Sequence, residues 1–99
     1  MPVYKNTRFD VRPEAVDLCV DAARGLVEHV RQNESGTRLY VSMQDAVHPT
    51  RFTHFMIFED AAAEQAHRAS PEAKRFTETI TPYVVGGIQS RDLKAVAST

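Results

Sequence analysis

From Arg51 to Glu59 the chain reads RFTHFMIFE, and no other stretch restricts the fold as much. Successive side chains of a strand point to opposite faces. Phe55 and Ile57 therefore project one way, and Phe52, His54, Met56 and Phe58 the other, so both faces of this strand are largely apolar. The strand runs without a break into DAAAEQAHRASPEAKRF. There Asp60 is placed to cap a helix over Ala61 to Ala69, and Ser70-Pro71 restarts the chain as N-cap and first residue of a second helical piece reaching about Ile80.

The remaining elements are fitted around that unit. Residues Val3 to Val11 alternate in a half-apolar, period-two pattern that predicts a first strand. Pro13 opens a helix in which Val16, Cys19, Val20, Ala23, Leu26, Val27 and Val30 recur at three- and four-residue spacing. Asn33 to Gly36 ends it, with Gly36 expected to supply the positive φ that closes helices. Leu39, Val41 and Met43 alternate with Tyr40, Ser42 and Gln44 as a second strand, joined to the third by the loop Asp45 to Thr50. Pro82 and Gly86-Gly87 break the last helix, and Ile88 to Val96 is read as a fourth, edge or exchanged strand.

Strand, helix, strand, strand, helix, strand is the order of a ferredoxin-like α+β fold, an antiparallel sheet with its helices on one face, in a single domain over residues 1–99. Phe55 or its opposite row would then lie on a bare sheet face, at a cost of about 1.5–3 kcal/mol for each large apolar residue left in water. A two-fold dimer with two sheets packed face to face is the expected remedy.

Composition narrows the partners. The net charge of −1, with Lys and Arg scattered, argues against nucleic acid. No segment is apolar enough for a membrane span or a signal peptide, and the lone cysteine, Cys19, fits a reducing compartment, so a cytoplasmic protein is expected. Cys19 falls in the apolar stripe of the first helix and reads as a small buried hydrophobe.

Asn33, Glu34, Gly36 and Tyr40, followed by Phe58, Asp60, Ala63, His67, Ser70, Pro71 and Phe76, give the chain a specific resemblance to the antibiotic biosynthesis monooxygenase family. That resemblance implies a dimeric α+β barrel, and it brings in quinol monooxygenases, haem degraders, signal-molecule enzymes and members without assigned activity. Met56 stands where the family often has Glu, and Ser35 replaces the usual turn proline. Haem-degrading relatives use a helix Trp and a His about ten residues on; His67 and Thr77 occupy those places here, and strand parity turns Thr7 rather than Asn6 inward. Haem degradation is therefore disfavoured.

His67 is the first candidate for chemistry, as a base able to take a phenol proton, and His54 is the second. Each can equally be a packed, singly hydrogen-bonded histidine between helix and sheet. His29 is expected on the solvent side of its helix. Tyr40 and Tyr83 could aim hydroxyls at an aromatic ligand or simply fill core and rim; Arg51 or Arg8 could hold an anionic oxygen; Phe52, Met56 and Phe58 would wall the pocket. No metal-ligand spacing, phosphate loop or nucleotide fingerprint occurs, so no metal or cofactor is expected. The reading is a cofactor-free monooxygenase or related oxidoreductase acting on a small phenolic or quinol-like molecule. A non-catalytic dimeric binding protein, or an isomerase or signal-degrading enzyme of the same fold, is the competing reading.

Overall fold

A computed structural model describes residues 1–99. The elements run β1 (Val3–Val11), a 3-10 turn (Pro13–Ala15), α1 (Val16–Asn33), β2 (Thr37–Gln44), β3 (Arg51–Phe58), α2 (Ala61–Ala69), α3 (Pro71–Ile80), a second 3-10 turn (Thr81–Tyr83) and β4 (Val84–Leu93). The strands form one antiparallel sheet in the order β2-β3-β1-β4. This is the ferredoxin-like α+β arrangement expected from the sequence.

Local chemistry accounts for the helix boundaries. Asp60 Oδ1 accepts the Ala63 amide at 2.8 Å, and Ser70 Oγ accepts the Ala73 amide at 3.1 Å. Each cap satisfies an amide that the first turn leaves without a partner. Pro71 at the start of α3 supplies a preset φ and gives up no helical hydrogen bond.

The helices cover the sheet face formed by Phe9 and Val11 of β1 and by Phe52, His54, Met56 and Phe58 of β3, all buried. At one end Phe9, Val11, Ala15, Cys19, Phe52 and Ile80 make a continuous core, with Phe76, Tyr83 and Val84 packed against it. The opposite sheet face carries Leu39, Val41 and Met43 of β2 and Phe55 and Ile57 of β3, none of them buried. Leu39 and Met43 are 40% and 44% exposed, so the bare apolar face anticipated from strand three is present and extends over two strands.

Three expectations are corrected. Gly86 and Gly87 lie inside β4, which begins at Val84 and ends at Leu93 rather than spanning Ile88 to Val96. They adopt φ of 80° and 84° where Arg8 and Asp10 of β1 pair with Gln89 and Val85, so the glycines absorb extra length in β4 as a bulge. Gly36 does not have positive φ. Its lack of a side chain matters for space, because a Cβ there would sit 2.7 Å from Ala63 Cβ of α2. His29, expected toward solvent, instead faces α3, with Nε2 at 3.2 Å from Glu72 Oε1.

Candidate active site

Between the helices and the sheet lies a cavity of about 690 Å³. Its floor takes Lys5, Thr7 and Phe9 from β1, His54, Met56 and Phe58 from β3, and Ile88 and Ser90 from β4; its roof includes His67 of α2 and Phe76 of α3. Strand pairing sets Ser90 beside Thr7, Thr7 beside His54, and His54 beside Ser42. A polar row therefore crosses all four strands beneath largely apolar walls. Thr7 Oγ1 and Ser90 Oγ are hydrogen-bonded at 3.0 Å within it.

Both candidate histidines line this one cavity, but in different ways. His67, reached two turns into α2, is 6% exposed. Its Nδ1 lies 2.8 Å from Glu34 Oε1 and 3.1 Å from Oε2, at the C-terminal end of α1. Thr37 Oγ1 donates to the same Oε1 at 2.9 Å. A carboxylate at Nδ1 favours the tautomer with the proton there, leaving the Nε2 lone pair available. Nε2 has no protein partner and is not sealed from solvent. This is the arrangement of an oriented general base.

His54 is 2% exposed and uses both ring nitrogens: Nδ1 lies 2.9 Å from the Tyr40 hydroxyl, and Nε2 lies 2.9 Å from Ser42 Oγ. Burial, aided by the nearby charge of His67, pulls its pKa down to about 4. His54 is thus held neutral and fully bonded, which suits it to fixing Tyr40 more than to collecting a proton. Burial, reinforced by the Glu34 charge, raises the Tyr40 pKa. Its hydroxyl stays protonated, and its ring sits between the histidines, with centroids 5.5 Å from His54 and 5.3 Å from His67.

The other candidates divide. Tyr40, Met56 and Phe58 line the cavity with the histidines. Phe52 does not; it stacks on Phe9 in the core with centroids 5.3 Å apart. Tyr83 packs against the same core, away from the cavity. Arg51 is exposed at the strand end, 3.7 Å from Asp10 Oδ2. The geometry brings together five of the eight, leaving these three outside.

Sequence reading missed the charged groups of the site. Lys5 Nζ lies 2.6 Å from Glu64 Oε2 and 3.3 Å from Asp92 Oδ1, and hydrogen bonding to Glu64 raises its pKa. Lys5 shares the inward parity of Thr7 and Phe9, and Glu64 precedes His67 by three residues and so shares its helix face; those spacings were the available signal. Glu34 was visible only as a turn residue, because its partnership with His67 spans 33 positions. Although Met56 takes the place of an acid, Glu34 and Glu64 supply carboxylates from elsewhere.

The family model described as antibiotic biosynthesis monooxygenase matches residues 2–79. The chain belongs to that family. No curated protein matches it in sequence. Among solved structures, an antibiotic biosynthesis monooxygenase superposes with a TM-score of 0.89 at 24% identity, covering 96% of this chain and 99% of the other. The Mycobacterium tuberculosis protein Rv0793 gives 0.88 at 20% identity, covering 99% and 98%. A candidate antibiotic biosynthesis monooxygenase from Nitrosomonas europaea gives 0.90 at 16% identity, covering 99% and 93%. At these identities the likeness of this antibiotic biosynthesis monooxygenase family member to the three structures is one of fold.

Proposed function

We propose that this family member is a cofactor-independent monooxygenase of small phenolic or quinol-like molecules, with His67 as the base. The observation that carries the reading is the unpartnered Nε2 of His67, which lines a cavity with aromatic walls while Glu34 fixes Nδ1. In the proposed reaction Nε2 takes the proton of a ring hydroxyl, and the resulting anion is electron-rich enough to reduce dioxygen. A carbon–oxygen bond forms at an activated ring carbon, and the proton on His67 returns to the peroxide. Loss of water, with the hydrogen of that carbon, leaves a carbonyl. One oxygen atom ends in the product and one in water, so the substrate supplies all the electrons. Tyr40, kept protonated, donates to the developing oxyanion, while Lys5 borders the same cavity with its charge matched by Glu64 and Asp92. His54 holds Tyr40 in place.

Oxygen uptake with a panel of hydroquinones tests the reading. Uptake by the wild type that is lost in His67→Ala supports it. No uptake with any member, or uptake unchanged in that variant, overturns it; ligand-dependent thermal stabilisation without turnover would replace it with a binding protein.

The same proposal includes a two-fold dimer through the bare face of Leu39, Val41, Met43, Phe55 and Ile57. An apolar patch over two adjacent strands is an expected interface, and a second copy presents the same patch in return. A cytoplasmic location also belongs to the proposal; no helix is long and apolar enough to cross a membrane.

A further inference from the structure

His54 meets a hydroxyl at each ring nitrogen: Nδ1 lies 2.9 Å from the Tyr40 hydroxyl and Nε2 lies 2.9 Å from Ser42 Oγ. Strand pairing sets this up. Ser42 stands opposite His54 across the β2–β3 ladder, and Tyr40, two residues back along β2, projects from the same face. Neither hydroxyl has a second hydrogen-bond partner in the protein. The two ends of the chain open on different spaces. Tyr40 lines the main cavity; Ser42 does not, and instead lines, together with Tyr40, a second cleft of about 580 Å³ between α1 and the edge strand β2.

Burial keeps His54 neutral, and a neutral imidazole carries one N–H and one lone pair. The chain can therefore run in only two directions. In the first, Tyr40 donates to Nδ1 and Nε2–H donates to Ser42, whose own proton turns to the second cleft; Tyr40 then offers the cavity lone pairs alone. In the second, Ser42 donates to Nε2, Nδ1–H donates to Tyr40, and the Tyr40 proton is free for the cavity. A phenol is the more acidic hydroxyl and the better donor to imidazole, which favours the first direction when no ligand competes. An anionic oxygen in the cavity accepts more strongly than a neutral ring and favours the second. Neither direction leaves a buried donor without an acceptor.

We infer that Ser42 and His54 are positioning residues in a reversible hydrogen-bond chain: an anionic ligand oxygen in the cavity turns the chain so that Ser42 donates to His54, His54 to Tyr40, and Tyr40 to the ligand. The inference rests on the reading that the cavity takes phenolic molecules. It gives Tyr40 a donation made only once the anion has formed, the kind of interaction that lowers a barrier instead of tightening ground-state binding. Turning the chain moves the His54 proton from Nε2 to Nδ1, and that movement can be observed without turnover.

Nitrogen NMR of the His54 ring, recorded on the full chain in mildly alkaline buffer, reads the tautomer directly. The probe is pentafluorophenolate, an ionised phenol electron-poor enough to resist oxidation, and movement of the His67 signals reports its arrival in the cavity. Free wild type is expected to carry the His54 proton on Nε2, and the saturated protein on Nδ1. Ser42→Thr keeps the hydroxyl and should keep the change. Ser42→Val has the shape of threonine without the hydroxyl; since a buried N–H without an acceptor costs more than a bare lone pair, its His54 proton should stay on Nδ1 with or without the probe. Tyr40→Phe should stay on Nε2 and bind the probe about tenfold or more weakly. Thermal melts establish that each variant folds, and the comparison of free and saturated wild type needs no variant. Free wild type already protonated on Nδ1, a tautomer unchanged by bound probe, or a change that survives in Ser42→Val overturns the inference, as does a probe that fails to bind at millimolar concentration. If hydroquinone oxidation is absent while the tautomer changes as described, the proposed activity fails and the chain stands.

Discussion

His67 Nδ1 and Glu34 Oε1 lie 2.8 Å apart although 33 residues separate them, and their contact ties α2 to the end of α1 at the cavity wall. Removing either partner should affect chemistry and folding differently. His67→Ala takes away the proposed base and should lower kcat by about 10²–10⁴. Glu34→Gln keeps the base but loosens its tautomer, and a fall of about tenfold is expected, with KM little changed. Steady-state oxygen uptake separates the two. Chemical denaturation of Glu34→Gln should also show a loss of about 1–3 kcal/mol, because a buried hydrogen bond to a charged group is weakened. Equal kcat values for wild type and Glu34→Gln would remove Glu34 from the mechanism.

The contrast with His54 yields a stability prediction. Its pKa is about 4 in the folded chain and about 6.5 when exposed. Between those values the unfolded state binds a proton that the folded state does not, so stability rises with pH across that window and is flat above it. The stabilisation is fully present above about pH 6.5 and is lost as pH falls toward 4. It amounts to about 3 kcal/mol. Urea unfolding at pH 7.5 and pH 5 reads about 2 kcal/mol of it, since the window runs on down to pH 4. His54→Gln should lose most of this pH dependence while losing stability at both values; an unchanged slope would show that other groups set it.

What could be read from the sequence was whatever is carried by local pattern. The parity of Arg51 to Glu59 sorted Phe52, His54, Met56 and Phe58 from Phe55 and Ile57, and the structure keeps that division. Asp60 and Ser70 announced themselves as caps by type and spacing. The position of a residue along its strand was not legible. Phe52 and His54 share a face, yet Phe9 and Phe52 stack at the core end while His54 opens on the cavity, and only the way the helices cross the sheet decides which. Tyr83 and Arg51 failed as site residues for the same reason. Glu34 and Lys5 were missed because their partners are assembled from distant segments.

Cys19 is completely buried in the α1 stripe, and burial alone raises the pKa of its thiol. A thiol kept protonated and covered should resist reagents that need a thiolate. Native protein should therefore react with an aromatic disulfide reagent only as fast as the chain opens, and at once in denaturant. Rapid native labelling would contradict the packing described. Cys19→Ser should destabilise by about 1–3 kcal/mol, since a hydroxyl would replace the thiol among Phe9, Ala15 and Ile80.

The bare sheet face offers a sharper test of assembly than of stability. Ile57→Lys places a charge at the middle of the apolar patch without touching the cavity face, because Ile57 and Met56 point to opposite sides of β3. Sedimentation at micromolar concentration should show wild type as a dimer and the variant as a monomer with helix content retained. A wild-type monomer would leave the patch without the proposed occupant.

Gly36 connects the fold to the site. A Cβ at this position would stand 2.7 Å from Ala63 Cβ and 3.7 Å from Ala63 Cα, and Ala63 belongs to the first turn of α2. The contact is with the body of a helix, which cannot swing aside as a long side chain would. Gly36→Ala must therefore push α2 away from the turn that carries Glu34, lengthening the contact between Glu34 and His67. Overpacking of this kind costs about 1–3 kcal/mol. The double variant Gly36→Ala, Ala63→Gly removes the clash from the other side and should recover most of the lost activity, though less of the stability, since glycine weakens the helix by about 1 kcal/mol. Recovery of kcat in the double variant would tie the single variant's defect to displacement of α2, whereas a defect that persists would place the need for glycine in the backbone of the turn itself.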